Sequence, residues 1–155
     1  MEYSISRLDT SRLSDSDVIQ LYTAINQAFY EYEAFTGEPY LRFKSIEQLK
    51  QSLSDCNNHF LVVKRQNAFI AGVCFHDPIV ESDTLYFGML WVAPNQRGQG
   101  LASALITEVE QQAIQHNKKG LLIRLFKIPE LIQYYQDLGF SFVDGDPKGP
   151  MVKYF

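Results

Sequence analysis

A glycine-rich loop with an arginine stands between an apolar strand pattern and a helical pattern. The run from Leu85 to Val92 leads into Pro94, and the helical pattern starts at Gly100. The first turn of a helix has N–H groups without partners, and the helix dipole adds about half a positive charge there. Gly98 and Gly100 let the backbone bend towards an anion, and Arg97 can add a forked, charged donor. The loop therefore predicts a phosphate site.

The residues after the loop disfavour two common phosphate ligands. A nucleotide-triphosphate loop needs Lys and Ser or Thr after its last glycine, whereas Leu101 and Ala102 follow here. A dinucleotide loop needs a third glycine at the place of Ser103, and it is expected near the first strand of its domain. On these six residues alone, an ordinary strand-to-helix turn without a ligand stays open.

Two motifs together resemble the GNAT superfamily of N-acetyltransferases. Val92-Ala93-Pro94, followed by Arg97-Gly98-Gln99-Gly100-Leu101-Ala102, is similar to its motif A, Arg/Gln-x-x-Gly-x-Gly/Ala. Further on, Tyr134-Tyr135-Gln136-Asp137-Leu138-Gly139-Phe140 looks like motif B, Tyr-x-x-x-Gly-Phe. The order of predicted elements agrees with this family along the whole chain. The resemblance implies an acetyltransferase that uses acetyl-coenzyme A as acyl donor and no metal.

The resemblance also implies which residues hold the cofactor. The strand Leu90, Trp91 and Val92 would bind the pantetheine arm through its backbone, and in this family that strand carries a bulge and splays from its parallel neighbour. Trp91 alternates with its neighbours, so core packing is expected for its indole. The pyrophosphate would be bound by backbone N–H groups of Arg97, Gly98, Gln99, Gly100, Leu101, Ala102 and Ser103.

Tyr135 matches the family tyrosine that protonates the departing thiolate. Attack of an amine on a thioester expels a sulfur anion, and a phenol within reach can donate a proton to it. Tyr135 also lies on the apolar face of its predicted helix, so packing is the alternative role. Tyr134 is the less favoured neighbour, because Tyr135 has the family spacing to Gly139-Phe140.

Two positions depart from the family pattern. Ile128 stands where many relatives have an Asn that contacts the cofactor, and Tyr86 stands where the histone-type branch has its general-base Glu. Histone-like base catalysis is therefore not expected. The other candidates for a base are each more typical of surface or loop residues, and they are His76, Glu81, Glu31 and Glu33.

The composition favours one globular domain over residues 1–155. Hydrophobic residues make up 46% of the 155 residues, and charged residues make up 21%. The net charge of -4 disfavours nucleic acid and anionic membranes as partners. The sequence has no leader pattern and no run long enough to cross a bilayer, so a cytoplasmic protein is expected. Cys56 and Cys74 have neither zinc-ligand spacing nor the density of a disulfide scaffold.

The periodicity predicts a strand, two helices, three strands, a helix, a strand, a helix and two strands. This order is typical of a mixed α/β fold, and the GNAT resemblance implies a central mixed sheet with helices on both faces. The segments 85–92, 100–115 and 121–126 form a predicted βαβ unit, whose strands should be parallel. Gln66-Asn67 is a predicted hairpin turn.

The sequence thus predicts an N-acetyltransferase that acetylates a primary amine of a small molecule or peptide. The acidic and aromatic segment Tyr30–Tyr40 could receive a cationic amine, although a helix end with an ordinary core face is favoured for most of it. A non-catalytic module that binds acyl-coenzyme A is the alternative function. A homodimer stays open, because the family often pairs.

Overall fold

The computed structural model of the chain describes residues 3–38 and 40–155. The strands are β1 (Ser4–Arg7), β2 (Asn58–Arg65), β3 (Ala68–His76), β4 (Thr84–Val92), β5 (Gly120–Ile123), β6 (Ser141–Phe142) and β7 (Met151–Tyr154). The helices are α1 (Asp15–Phe29), α2 (Glu33–Thr36), α3 (Ile46–Ser54), α4 (Leu101–Gln115) and α5 (Pro129–Asp137). The order agrees with the predicted one, except that the first helix ends at Phe29 and is followed by a 3-10 turn and the short α2.

The strands form one mixed sheet in the order β1-β2-β3-β4-β5-β7-β6. Strands β4 and β5 are parallel over Thr84–Phe87 and Gly120–Ile123, which confirms the predicted βαβ unit. Strand β7 pairs antiparallel with both β5 and β6, and β1 pairs antiparallel with β2. The prediction of a mixed α/β fold is confirmed.

The chain divides into two compact units. The first contains the described residues up to Cys74 together with Met89–Leu105, and the second contains Phe75–Gly88 and Ile106–Phe155. Strand β4 and helix α4 each contribute to both units. A single domain over 1–155 stays a prediction. Within the described residues, no helix combines the length and the apolar character needed to span a membrane.

Local side-chain bonds explain where the first helices begin. Ser14 caps α1 by accepting a bond from the Asp17 N–H at 3.0 Å, and Asp17 accepts one from the Ser14 N–H at 3.1 Å. This reciprocal pair is a capping box, which satisfies two N–H groups that the helix leaves free. At α3, Ser45 accepts from the Gln48 N–H at 3.2 Å, whereas the Gln48 side chain accepts from the Lys44 N–H at 2.7 Å.

The core of the first unit lies among α1, α3, β2, β3 and the end of β4. Its members are buried apolar side chains, which on the helices recur mostly at intervals of three or four residues, and they include Leu21, Ile25, Leu49, Val62 and Trp91. The indole of Trp91 is 3% exposed, which confirms its predicted packing role. Cys74 belongs to the same core, and burial raises the pKa of its thiol to about 12. A thiol in this state is protonated and chemically inert.

Residues with positive φ angles occur in several of the turns that connect the elements. Gln66 and Asn67 have φ of 53° and 65°, as a type I′ hairpin turn requires, so the predicted hairpin between β2 and β3 is confirmed. Gly139 has φ of 98° after α5, as expected for a helix cap. The sequence Lys118-Lys119-Gly120 is typical of a helix end, but the left-handed residue after α4 is Asn117, with φ of 59°, and Gly120 already lies in β5.

The segments that flank α4 and α5 also differ in length from the prediction. Strand β5 ends at Ile123 instead of Phe126, and β6 covers only Ser141–Phe142. Lys127 lies in the loop between β5 and α5, and its Nζ donates a hydrogen bond to the Gly149 carbonyl at 2.6 Å. Short strands of this kind have too few alternating side chains for their ends to be read from hydrophobicity.

Replacing Gly120 with Ala should destabilise the protein. A Cβ on Gly120 would lie 2.4 Å from the carbonyl oxygen of Lys153 in β7, so the paired strands would have to separate. We expect a loss of about 1–3 kcal/mol in the free energy of unfolding, measured by urea denaturation. Gly149→Ala is the matched control, since its Cβ would meet Asp146 at an ordinary 3.5 Å. If the two variants lose equal free energy of unfolding, the close approach of β5 and β7 does not explain the glycine at position 120.

Candidate functional site

The loop between β4 and α4 has the backbone shape that two glycines permit. Pro94–Gln96 form a 3-10 turn, and Gly98 and Gly100 both have φ of 79°. A Cβ at either glycine would meet nothing within 4 Å, so conformation and not space requires glycine there. The Ala104 N–H bonds the Gly100 carbonyl at 3.0 Å and begins the helical series. The N–H groups of the preceding turn are those for which a helix has no internal acceptor.

Strand β4 changes its backbone conformation just before this loop. Its register with β5 covers Thr84–Phe87, and Met89 then has φ of 51°. A left-handed residue inside a strand re-aims the chain and is typical of a bulge. This agrees with the bulge that the family resemblance implies. The sequence carries no signal for this residue, because Met is an unfavourable choice at positive φ.

The Arg97 side chain turns back to the protein instead of lying free beside the loop. Its Nη1 donates to Glu31 Oε2 at 2.8 Å, its Nη2 to the Ala28 carbonyl at 3.1 Å, and its Nε to the Val92 carbonyl at 3.2 Å. Ala28 lies in the last turn of α1, where the carbonyl groups receive no hydrogen bond from N–H groups of the same helix. The guanidinium thus ties the loop to both α1 and β4.

Three aromatic side chains at the end of α1 and in the segment after it pack together. The rings of Phe29, Tyr32 and Tyr40 lie 5.4 to 6.4 Å apart in tilted or edge-on pairs. Burial raises the pKa of Tyr32, and the neighbouring Glu31 carboxylate raises it further. Of the two candidate bases here, Glu31 is the ion-pair partner of Arg97. A hydrogen bond from Tyr30 to Glu33 raises the pKa of that phenol.

The remaining candidate bases lie in the second unit. His76, at the end of β3, packs edge-on against Tyr86 of β4 with ring centroids 4.8 Å apart. The Tyr86 hydroxyl extends along its strand towards Gly88, whose Cβ position would be 3.9 Å away. Glu81 is exposed in the loop before β4. The structure therefore brings His76 against the position of the histone-type base, and it leaves Glu81 on the surface.

Helix α5 presents two adjacent tyrosines in the same unit. Tyr135 is 3% exposed, and its ring packs edge-on against Tyr134 and Phe140 at 5.3 and 5.4 Å. The hydroxyl oxygen of Tyr134 is buried and has no hydrogen-bond partner in the described part of the chain. Ile128 precedes the helix and is 8% exposed, so a buried apolar side chain stands at the position of the family Asn. The pair gives this unit two phenols as proton-donor candidates.

Arg65 was missed in the sequence, although the two glutamines that it contacts, Gln96 and Gln99, lie in the predicted loop. Arg65, at the end of β2, donates to the side-chain oxygens of Gln96 at 2.5 Å and Gln99 at 3.2 Å. The contact joins positions 31 and 34 residues apart, which no local pattern encodes. The only available signal was an arginine next to the hairpin turn.

The comparison with known families decides what this arrangement belongs to. A model of the acetyltransferase (GNAT) family matches residues 19–140. The chain belongs to this family. No curated protein sequence matches this GNAT chain significantly.

Solved structures share the GNAT fold at low sequence identity. A PaiA N-acetyltransferase from Thermoplasma acidophilum in complex with coenzyme A has 15% identity and a TM-score of 0.74, with 100% of each chain covered. An acyl-CoA N-acyltransferase from Pseudomonas aeruginosa has 18% identity and a TM-score of 0.69, covering 98% of this chain and 99% of that one. An aminoglycoside acetyltransferase from an uncultured soil metagenomic sample has 18% identity and a TM-score of 0.63, covering 90% and 91%. At these identities the likeness establishes the fold.

Removing Arg97 should cost more stability than removing its ionic partner. Glu31→Gln should cost less than about 1 kcal/mol, because the pair is 39% and 51% exposed and water screens it. Arg97→Gln should cost about 1.5–3 kcal/mol, because the carbonyls of Ala28 and Val92 also lose a charged donor. Urea unfolding of both variants measures the difference. If the two losses are equal, the ion pair and not the carbonyl bonds holds the loop.

Proposed function

We propose that this GNAT protein transfers the acetyl group of acetyl-coenzyme A to a primary amine of a small molecule or peptide. The observation that carries the proposal is the backbone of the loop before α4. Gly98 and Gly100, both with φ of 79°, precede a 15-residue helix, and Gly100 stands at a defined position of the family's motif A. Such a turn directs N–H groups and the positive end of the helix dipole at one anion.

The proposed pyrophosphate ligands are main-chain groups. The N–H groups belong to Arg97, Gly98, Gln99, Gly100, Leu101, Ala102 and Ser103. The Arg97 guanidinium is proposed as a support and not as a ligand, because three of its five N–H groups already donate within the protein. The coenzyme A complex of the Thermoplasma protein supports this ligand class for the shared fold.

The pantetheine arm is proposed to pair with the main chain of Leu90, Trp91 and Val92. The Trp91 side chain is committed to the core, so only its peptide groups are available. These residues follow Met89, where the strand changes direction. An amide-containing arm can form hydrogen bonds with such a strand in the manner of an added strand.

The proposed reaction is direct acyl transfer. The amine nitrogen forms a bond to the thioester carbonyl carbon, the carbon–sulfur bond then breaks, and the thiolate leaves. Tyr135 is proposed to donate its phenolic proton to that sulfur, and the attacking nitrogen loses a proton to water or to a side chain such as His76. The protein contributes mainly by fixing the reactants in line and by handling these protons.

A second candidate function is a module that binds acyl-coenzyme A without transferring the acyl group. The deep burial of Tyr135 favours it, since a phenol that is 3% exposed and packed between two rings has limited access to a ligand. The replacement of the family Asn by Ile128 points the same way. Cofactor binding without turnover would distinguish this module from an enzyme.

Coenzyme A should stabilise the folded protein through the loop. A ligand at 100 times its dissociation constant adds about 2.7 kcal/mol, which differential scanning fluorimetry reads as a rise in Tm. Gly100→Val should abolish the rise, because a β-branched residue does not hold φ of 79°. Gly37→Val is the matched control, with φ of 76° and equally open surroundings outside the loop. No rise for the unmodified protein at millimolar coenzyme A would refute the proposed cofactor.

Replacing Tyr135 should slow the chemical step selectively. If its phenol protonates the thiolate, Tyr135→Phe should lower kcat by about 10²–10⁴-fold with little change in KM. A thiol-release assay over amines, polyamines, amino acids and peptides measures this once an acceptor is found. Tyr134→Phe is the control on the same helix and should retain its rate. If Tyr134→Phe is the slow variant, the donor is assigned to the wrong tyrosine. If no amine is acetylated while coenzyme A binds, the module is favoured.

A further inference from the structure

A bridge of three side chains ties the β2–β3 hairpin to the phosphate loop. Arg65 Nη1 donates to Gln96 Oε1 at 2.5 Å, and Arg65 Nη2 donates to Gln99 Oε1 at 3.2 Å. The Gln99 amide nitrogen in turn faces Gln96 Oε1 at 3.4 Å. The three side chains close a small hydrogen-bonded ring, which we call the Arg65 bridge.

The hairpin that carries Arg65 is a rigid base for this bridge. Its turn consists of Gln66 and Asn67, both left-handed, which is the tight connection that matches the natural twist of two strands. Close by along β3, the Ile70 carbonyl accepts a bond from the Ala93 N–H at 2.8 Å, at the point where the loop leaves β4. The loop is therefore held by a main-chain hydrogen bond where it leaves β4, and by the Arg65 bridge further along the chain.

Among the residues of the Arg65 bridge, Gln99 is the one whose restrained side chain affects the loop main chain most. It stands between Gly98 and Gly100, which are the two most freely rotating positions of the loop. Holding the Gln99 side chain restricts the peptide units on both of its sides, and these are the units whose N–H groups the proposed function assigns to pyrophosphate. A ligand that meets an already ordered loop does not have to order it.

The chemistry of Arg65 fits this role better than a general role in stability. A guanidinium presents two parallel donors in a fixed fork, so it can hold two amide oxygens at once, which an ammonium cannot do with the same geometry. Its Nε is buried and has no hydrogen-bond partner in the described part of the chain. Burying an N–H without a partner is unfavourable for folding, so the residue is a poor choice for stability alone.

We infer that Arg65 is a positioning residue for pyrophosphate, acting through Gln96 and Gln99 and without contacting the ligand. The inference rests on the proposed function, because it assumes that the loop binds coenzyme A. Arg65 orders the main-chain N–H groups before the ligand arrives, and its own charged fork stays on the two glutamines.

The test compares two ligands in several variants of the full chain. Coenzyme A contains the pyrophosphate, and S-acetyl-pantetheine has the arm without it. Arg65→Gln and Arg65→Lys should each bind coenzyme A about tenfold more weakly, because both lose the fork. Their affinity for S-acetyl-pantetheine should not change. Titrations followed by protein NMR measure both dissociation constants, and the same spectra show whether each variant is folded.

Matched variants separate positioning from charge. Arg42→Gln removes one positive charge from a residue that packs on the Phe43 ring, and it should leave both affinities unchanged. Gln99→Leu should weaken coenzyme A binding as well, and adding Arg65→Gln to it should cost little more, since the two act as one unit. The loss of coenzyme A affinity in the Arg65 variants should persist in high salt. A loss that came from simple electrostatic attraction would become smaller, because salt screens that attraction.

Each other result overturns the inference in a recognisable way. If Arg65→Lys binds as the unmodified protein does, charge and not the fork is what the ligand requires. If both ligands weaken equally, Arg65 supports the fold and not the loop. If the unmodified protein binds no coenzyme A, the proposed function fails, and the inference fails with it.

Discussion

The end of β4 and the start of α4 leave main-chain groups that need partners, and the structure of this region follows from how they are satisfied. A buried or half-buried carbonyl or N–H without a partner is costly, so each has to be met by another part of the chain. The Val92 carbonyl receives the Arg97 Nε, and the Ala93 N–H bonds the Ile70 carbonyl. After these bonds, the first turn of α4 still has N–H groups that no helix can satisfy internally, and an anionic ligand is their natural acceptor.

The side chains of two arginines beside the loop form hydrogen bonds to protein groups. Arg97 holds α1 and β4, and Arg65 holds Gln96 and Gln99. Each arginine therefore holds the loop or its neighbouring main chain in place. If the loop binds an anion as proposed, its main-chain N–H groups would be the donors, and a fixed arrangement of such groups favours anions of matching size and shape.

The sequence predicted those features that depend on local patterns. The element order, the parallel β4–β5 pair, the hairpin at Gln66-Asn67 and the core role of Trp91 follow from periodicity and turn chemistry. Features that depend on distant contacts were not predictable. The orientation of Arg97 depends on Glu31, which lies 66 positions away in the sequence. Met89 takes a left-handed angle that is unfavourable for its side chain, so tertiary packing outweighs local preference there. Asn117 also takes such an angle, which Asn adopts more readily than most residues. The pairing of His76 with Tyr86 likewise required the sheet.

The two cysteines differ in a way that makes the first unit easy to monitor. Cys56 is exposed, while Cys74 is buried in β3 with its thiol pKa raised to about 12. A thiol-specific reagent should modify one residue in the native protein at once and the second only when the core around β3 opens. The rate of the slow second modification reports how often that core opens locally. Any thiol-release assay on this protein will have a constant background of one equivalent from Cys56, and a growing background will report unfolding during the measurement.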